Sequence, residues 1–281
     1  MTFPIGSWWR HIPEIIDPIV FSLGSFSLRW YAVLFIFGWM AAVTFLAWRI
    51  RRREFLLGRE ALWDIAIIVL AGAMVGGRLG YAIFYDPSLL RDPLSLVSPY
   101  DPSGAWTGIR GMSFHGALVC AIFGLWFIAR VRKIDFWTLV DFLVPAVPIA
   151  IFFGRMGNFF NLELVGRETG KPWGMYFPNY PSPRHPSQLY ETFFEGILLF
   201  LLFSRLRNKK LPKGMLSAIF LALYGTLRFF LEFWREPDVG AELVFGWMTP
   251  GQALSVGMVV VSSAMFLWIF FRKNAILSSD A

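Results

Sequence analysis

Seven long runs with few or no charges, near residues 26 to 48, 62 to 85, 112 to 130, 136 to 160, 188 to 204, 214 to 234 and 250 to 271, set the strongest limit on what this chain can fold into. At about 1.5 Å of rise per residue, runs of this length match the roughly 30 Å hydrocarbon core of a bilayer. A backbone in hydrocarbon must satisfy its own N–H and C=O groups, so by length and exclusion of charge each run predicts a transmembrane helix. The expected fold class is therefore all-α: a polytopic membrane protein with seven transmembrane helices, forming a single integral membrane domain over residues 1–281. A hydrophobic share of 56% and a mean hydropathy of +0.55 agree with that reading. The first run begins too late, and is too long, for a cleaved leader, so it is read as a permanent helix.

Basic residues orient the helices, because Lys and Arg resist translocation. Arg49, Arg51, Arg52, Arg53 and Arg59 follow the first run, Arg130, Arg132 and Lys133 the third, Arg205, Arg207, Lys209, Lys210 and Lys213 the fifth, and Arg272 and Lys273 the seventh. The other loops hold scattered charges such as Arg91, Arg110 and Arg167, interspersed with acids. This places the N-terminus outside and the C-terminus in the cytoplasm. The outward loops, 86–111 and 163–187, are rich in Pro and polar residues and are expected to be irregular or short-helical.

The net charge of +7 is mostly accounted for by topology, and no basic, aromatic-interleaved soluble module exists to hold a nucleic acid. The single cysteine, Cys120, excludes internal disulfides, and His11, His115 and His185 fit no helical metal spacing, so no metal is expected.

Counting depth along each run puts Arg78, Arg155 and Arg228 about two-thirds of the way out on outward-running helices. Tyr31, His115 and Glu191 fall early in inward-running ones. All six then lie in the outer half of the membrane, which predicts one polar chamber below the outer headgroups. Arginines gathered without an acid matched to each suggest an anion, for which a phospholipid headgroup is the abundant candidate in a bilayer. Internal ion pairing is the rival reading: Arg228 and Glu232 stand four apart on one face, and Glu163, Glu191 and Glu195 can neutralise the other arginines. Arg78 suits a structural or headgroup-orienting charge better than a catalytic one.

Tyr224, Arg228 and Glu232 form a column with spacing four. Asn158 and Asn161, three apart, offer donors to ester or phosphate oxygens, or serve helix termination and interhelical hydrogen bonding. His115 can accept a thiol proton near neutral pH or satisfy a neighbouring helix. Gln188, Tyr190 and Glu191 would support the chamber wall. No Gly-x-Ser-x-Gly elbow supports a serine acyltransferase, and the apolar inner half disfavours a lipid flippase, which needs polar groups along a route.

The run Gly154-Arg155-Met156-Gly157-Asn158-Phe159-Phe160-Asn161-Leu162-Glu163-Leu164-Val165-Gly166 resembles the signature of the prolipoprotein diacylglyceryl transferase family. The likeness continues through Arg29-Trp30-Tyr31, Gly111 to Gly116, Arg184 to Glu191 and Tyr224 to Asp238, in order, with a shorter stretch between Gly166 and Arg184 than in other members. The resemblance implies transfer of a diacylglyceryl group from phosphatidylglycerol to the lipobox cysteine of a preprolipoprotein signal peptide. The site would face the outer leaflet of a bacterial inner membrane and need no cofactor. It implies His115, Arg155 and Arg228 as catalytic groups. Tyr31, Arg78, Asn158, Asn161, Glu163, Gly166, Gln188, Glu191, Tyr224 and Glu232 would bind substrate.

Overall fold

The computed structural model describes residues 7–24, 26–100, 108, 111–237 and 243–279, so Arg110 and Asp238 lie outside the described residues. It is mostly helical. A short helix α1 (Ile12–Ile15) precedes a two-stranded hairpin of β1 (Ile19–Leu23) and β2 (Phe26–Arg29), after which come α2 (Trp30–Arg51), α3 (Arg59–Phe84) and α4 (Phe114–Val131). The second half holds α5 (Phe136–Leu143), α6 (Val147–Phe160), α7 (Ser187–Glu191), a π-helical segment (Thr192–Leu198), α8 (Leu199–Leu206), α9 (Met215–Leu231) and α10 (Pro250–Ser279).

Among the described residues, five helices are long and apolar enough to cross a membrane: Trp30–Arg51, Arg59–Phe84, Phe114–Val131, Phe136–Phe160 and Pro250–Arg272. The runs expected at 188–204 and 214–234 are helical too, the first as α7, the π-helical segment and α8 in succession, the second as the shorter apolar helix Met215–Leu231. Large apolar side chains such as Phe37, Ile67, Val119, Phe123, Val260 and Phe270 stand exposed along these helices, as they must on a surface solvated by acyl chains.

Two details correct the sequence expectation, and a third fills it in. An all-α fold overlooked the hairpin: Phe26–Arg29 is a strand, and the first long helix starts only at Trp30. The run 136–160 is interrupted by the 3-10 turn Val144–Ala146, because Pro145 and Pro148 lack the N–H groups that would continue the α-helical ladder. The outer loop 163–187 is irregular, one of the two forms expected of it, and carries isolated antiparallel bridges from Glu168 to Arg184 and from Met175 to Arg184.

The chain forms two compact units. The first comprises Met1–Val20, Leu28–Ala42 and Val140–Ala281. In it Val144, Leu199, Phe203 and Leu216 form a buried core flanked by Ile219, Phe220 and Leu223. Asp141 reaches the start of α9 and accepts from the backbone N–H groups of Gly214 at 2.7 Å and Ser217 at 2.8 Å, doing from a neighbouring helix the work of an N-cap. Gly214 there adopts φ +82°, a conformation that side chains rarely take. A second core of Phe159, Val165, Met175 and Phe177 lies under Ile12 and Ile16 and seats the outer loop.

The second unit comprises Phe21–Ser27 and Val43–Leu139. Its α3 and α4 approach backbone to backbone. A Cβ on Gly72 would fall 2.9 Å from the Cys120 carbonyl oxygen, and one on Gly80 would fall 2.8 Å from the Gly116 Cα. Small residues four apart thus give these helices the close packing that substitutes in hydrocarbon for a hydrophobic driving force. Asp86 and Asp92 cap the 3-10 turns Pro87–Leu90 and Pro93–Leu96.

Candidate active site

Helix α6 ends in a run of polar residues whose hydrogen bonds hold a sharp change of direction. Leu162 and Leu164 both take positive φ, at 58° and 56°. Such a turn persists only when its surroundings determine it. Asn158 donates through Nδ2 to the Glu163 carboxylate at 2.9 Å, Gln188 donates through Nε2 to the Glu163 carbonyl at 2.6 Å, and Ser187 donates to the Leu164 carbonyl at 2.9 Å. Asn161 Oδ1 accepts the backbone N–H of Tyr31 at 3.0 Å, satisfying one of the open donors in the first turn of α2. Gly157 makes room for that approach, since a Cβ there would lie 3.0 Å from Tyr31 Cδ2 and 3.1 Å from its Cα.

Gly166 is walled in by backbone. A Cβ on it would sit 2.6 Å from the Trp234 carbonyl oxygen and 2.7 Å from His185 Cβ. Its N–H donates to the His185 carbonyl at 3.0 Å, while the Arg167 N–H donates to Trp234 at 2.9 Å and the His185 N–H donates to Arg167 at 2.9 Å. Arg184 and Glu236 pair at 2.8 Å beside this junction. His185 Nδ1 lies 2.9 Å from the Tyr190 hydroxyl. Burial, and secondarily the nearby Lys171 charge, hold the His185 imidazolium below the usual histidine range.

Below that turn lies a buried ionic cluster. Glu191, at the end of α7, is 1% exposed and uses both oxygens: Oε1 accepts from Arg228 Nη1, and Oε2 lies 3.1 Å from Arg155 Nε. Arg228 Nη2 pairs with Glu232 Oε2 at 2.7 Å, one helical turn away on α9. Glu195, fully buried on the π-helical segment, lies 3.6 Å from Arg155 Nε. The Tyr224 phenol hydrogen-bonds Arg155, so the column Tyr224, Arg228, Glu232 faces the cluster along its length. The expectation that arginines gather here without matching acids is therefore corrected: Arg155 and Arg228 stand among three carboxylates. The reason is energetic, since an unpaired guanidinium in a low-dielectric interior costs several kcal/mol, of order 3 to 5 when a partner is removed.

Glu232 is further held by the start of α10. Thr249 Oγ1 donates to its Oε1 at 3.0 Å, and a Cβ on Gly251 would meet its Cδ at 2.7 Å. The carboxylate thus rests on the positive end of a helix whose first turn is closed by a capping box. Gln252 N–H donates to Thr249 Oγ1, and Thr249 N–H donates to Gln252 Oε1, each at 3.1 Å. The sequence signal for this support was the Thr-Pro-Gly-Gln string at 249–252, which the motif reading passed over. Glu195 had been weighed only as a neutralising acid.

Arg78 and His115 belong to the second unit. Arg78 spends its guanidinium on the outer loop, donating to the carbonyls of Leu96 at 2.7 Å, Ser95 at 2.9 Å and Gly111 at 3.3 Å. His115 is exposed in the first turn of α4, edge-on to Phe114 at 6.0 Å, two residues after the Ser113 N-cap. Among the described residues, no group of three or more His, Cys, Asp or Glu side chains has the geometry to hold a metal ion.

Comparison with known proteins gives one consistent result. The family model described as prolipoprotein diacylglyceryl transferase matches residues 18–268. A protein of Chlorobaculum tepidum is 40% identical over 268 residues, covering 93% of each chain. One of Vibrio campbellii is 43% identical over 263 residues, covering 92% of each. One of Nitratidesulfovibrio vulgaris is 41% identical over 261 residues, covering 90% of this chain and 93% of its own. All three carry the name phosphatidylglycerol–prolipoprotein diacylglyceryl transferase.

Proposed function

Since this chain belongs to the prolipoprotein diacylglyceryl transferase family, we propose that it moves the diacylglyceryl group of phosphatidylglycerol onto the lipobox cysteine thiol of a preprolipoprotein, with Arg155 at the centre of the donor site. In this reaction a sulfur–carbon bond forms to the glycerol, the carbon–oxygen bond to phosphate breaks, the thiol proton passes to a base, and glycerol phosphate leaves as an anion. Cations on the departing phosphate lower the barrier most where water is excluded, because charge developing there is poorly screened.

The observation that carries this reading is the pair of guanidiniums held by Glu191 in a helix-enclosed site of an apolar chain. A fork of donors suits a phosphate better than an ammonium does. Asn158, Asn161, Glu163, Gly166 and Gln188 shape the turn above the donor site, and Tyr31, Tyr224 and Glu232 line or brace it. Arg78 orders the outer loop, and His115 takes the thiol proton, a role drawn from the sequence block that contains it. We read the chain as seven-spanning, with the N-terminus outside, the C-terminus in the cytoplasm, and the reaction at the outer leaflet of the inner membrane.

The test is to incubate purified protein with labelled phosphatidylglycerol and a lipobox peptide. The expected product is a cysteine thioether that survives mild alkali while its two acyl esters do not, with glycerol phosphate released. Phosphate on the peptide, or lysophospholipid among the products, would overturn the assignment in favour of a phosphatidyl or acyl transferase.

A further inference from the structure

The two arginines of the cluster are held differently. Arg228, itself buried, has both terminal nitrogens committed, Nη1 to Glu191 and Nη2 to Glu232. Arg155 is partly open, and both of its carboxylate contacts, at 3.1 and 3.6 Å, run through Nε. The carboxylate behind the longer contact is unusual. Glu195 is fully buried, and the Arg155 Nε that its carboxylate faces stands at the longer distance of 3.6 Å. Burying a carboxylate with so little return is expensive, so its position calls for a reason beyond packing.

The backbone fixes that position. Gly196 brings the π-helical segment against α6 so closely that a Cβ would stand 2.9 Å from Phe152 Cβ and 3.0 Å from Phe152 Cα. Phe152 lies three residues before Arg155, one turn down the same helix. The contact therefore sets the distance from Glu195 to the Arg155 side chain. Short π-helical stretches of this kind are commonly kept for such placements despite their poorer geometry.

We infer that Glu195 is a positioning residue for Arg155: with Glu191 it draws the Nε edge of that guanidinium into the protein and so turns the Nη end toward the substrate phosphate, while Arg228 serves as the fixed counter-charge of Glu191. This rests on the reading that Arg155 grips the phosphate. The two arginines then do different work, and the buried acid acts on the reaction only through Arg155.

The experiment is a double-mutant cycle on the purified full-length protein, reading KM for phosphatidylglycerol, kcat and thermal midpoint for E195Q, R155K and the double variant. E195Q is expected to lower kcat/KM about tenfold, mainly through KM, and to add less than about twofold when placed on R155K. E195D, which keeps the charge on a shorter stem, is expected to fall between wild type and E195Q, and it carries the test if E195Q is not recovered folded. Full multiplication of the two single effects, or a fall in thermal midpoint with kcat/KM intact, would show that Glu195 only supports the fold and would overturn the inference. Wild-type kinetics in R155K would instead overturn the phosphate-grip reading, and the inference with it.

Discussion

Arg155 on α6 and Arg228 on α9 share one counter-ion, leaning on opposite oxygens of Glu191. Two like charges are thereby held close by one acid, and the shared carboxylate becomes the least replaceable residue of the cluster. Glu191→Gln is expected to cost about 3 kcal/mol or more of stability, since it leaves the buried Arg228 and the partly buried Arg155 each short of a partner. Thermal unfolding in detergent checks this, and an unchanged midpoint would mean that the two arginines are neutralised in some other way.

Lysine should not replace the two arginines with equal consequences. Arg155→Lys is expected to lower turnover on the order of a hundredfold at nearly unchanged stability, because a point-charge ammonium cannot reproduce a forked grip on phosphate. Arg228→Lys loses one of two committed terminal nitrogens and should lower the thermal midpoint as well as turnover. Assays at equal membrane protein content, paired with melting curves, separate the two patterns.

Gly166→Ala forces a methyl group against the Trp234 carbonyl and His185. The three packed segments must part, so a destabilisation of about 1–3 kcal/mol and loss of activity are expected. Gly170→Ala, where the added Cβ meets nothing within 4 Å, is the matched control and should behave as wild type. Similar behaviour of the two variants would contradict the packing account.

His185 makes the outer loop sensitive to acid. Its folded-state pKa lies below the ordinary 6.5, chiefly through burial and then through Lys171. The unfolded chain therefore binds the proton more readily. The stability this group contributes is present above pH 6.5 and is lost as pH falls from there through the lower folded value. The ring is only partly buried, so the effect is small. His185→Gln should narrow the gap in thermal midpoint between pH 7.5 and pH 5.5, and a gap of the same width would assign the acid sensitivity elsewhere.

If His115 accepts the thiol proton, His115→Gln should lower kcat far more than it weakens phosphatidylglycerol binding. Lost lipid binding with normal turnover per bound lipid would make the histidine a ligand instead.

The helices were legible because apolar runs of membrane-spanning length leave few alternatives. The hairpin was not, because the alternation Phe26-Ser27-Leu28 is too short to mark a strand and merges with the apolar run that follows. Within the site, the Arg228–Glu232 pair could be read directly, since residues four apart on a helix meet whatever surrounds them. The bridges from Arg155 and Arg228 to Glu191, and the cap that Asp141 supplies to α9, depend on how separate helices rotate and slide against each other. Those quantities are set by close contacts such as Gly196 on Phe152, which a one-dimensional pattern does not carry.

Asp141 anchors α9 at its first turn, and Thr249 and Gly251 hold Glu232 just past its last. A rod clamped at both ends works as a gauge block. Adding or deleting one residue between Ser217 and Arg228 would shift everything beyond it by about 1.5 Å and turn it through about 100°, swinging the Arg228 guanidinium off its carboxylates. Evolution can vary the composition of this helix, but scarcely its length.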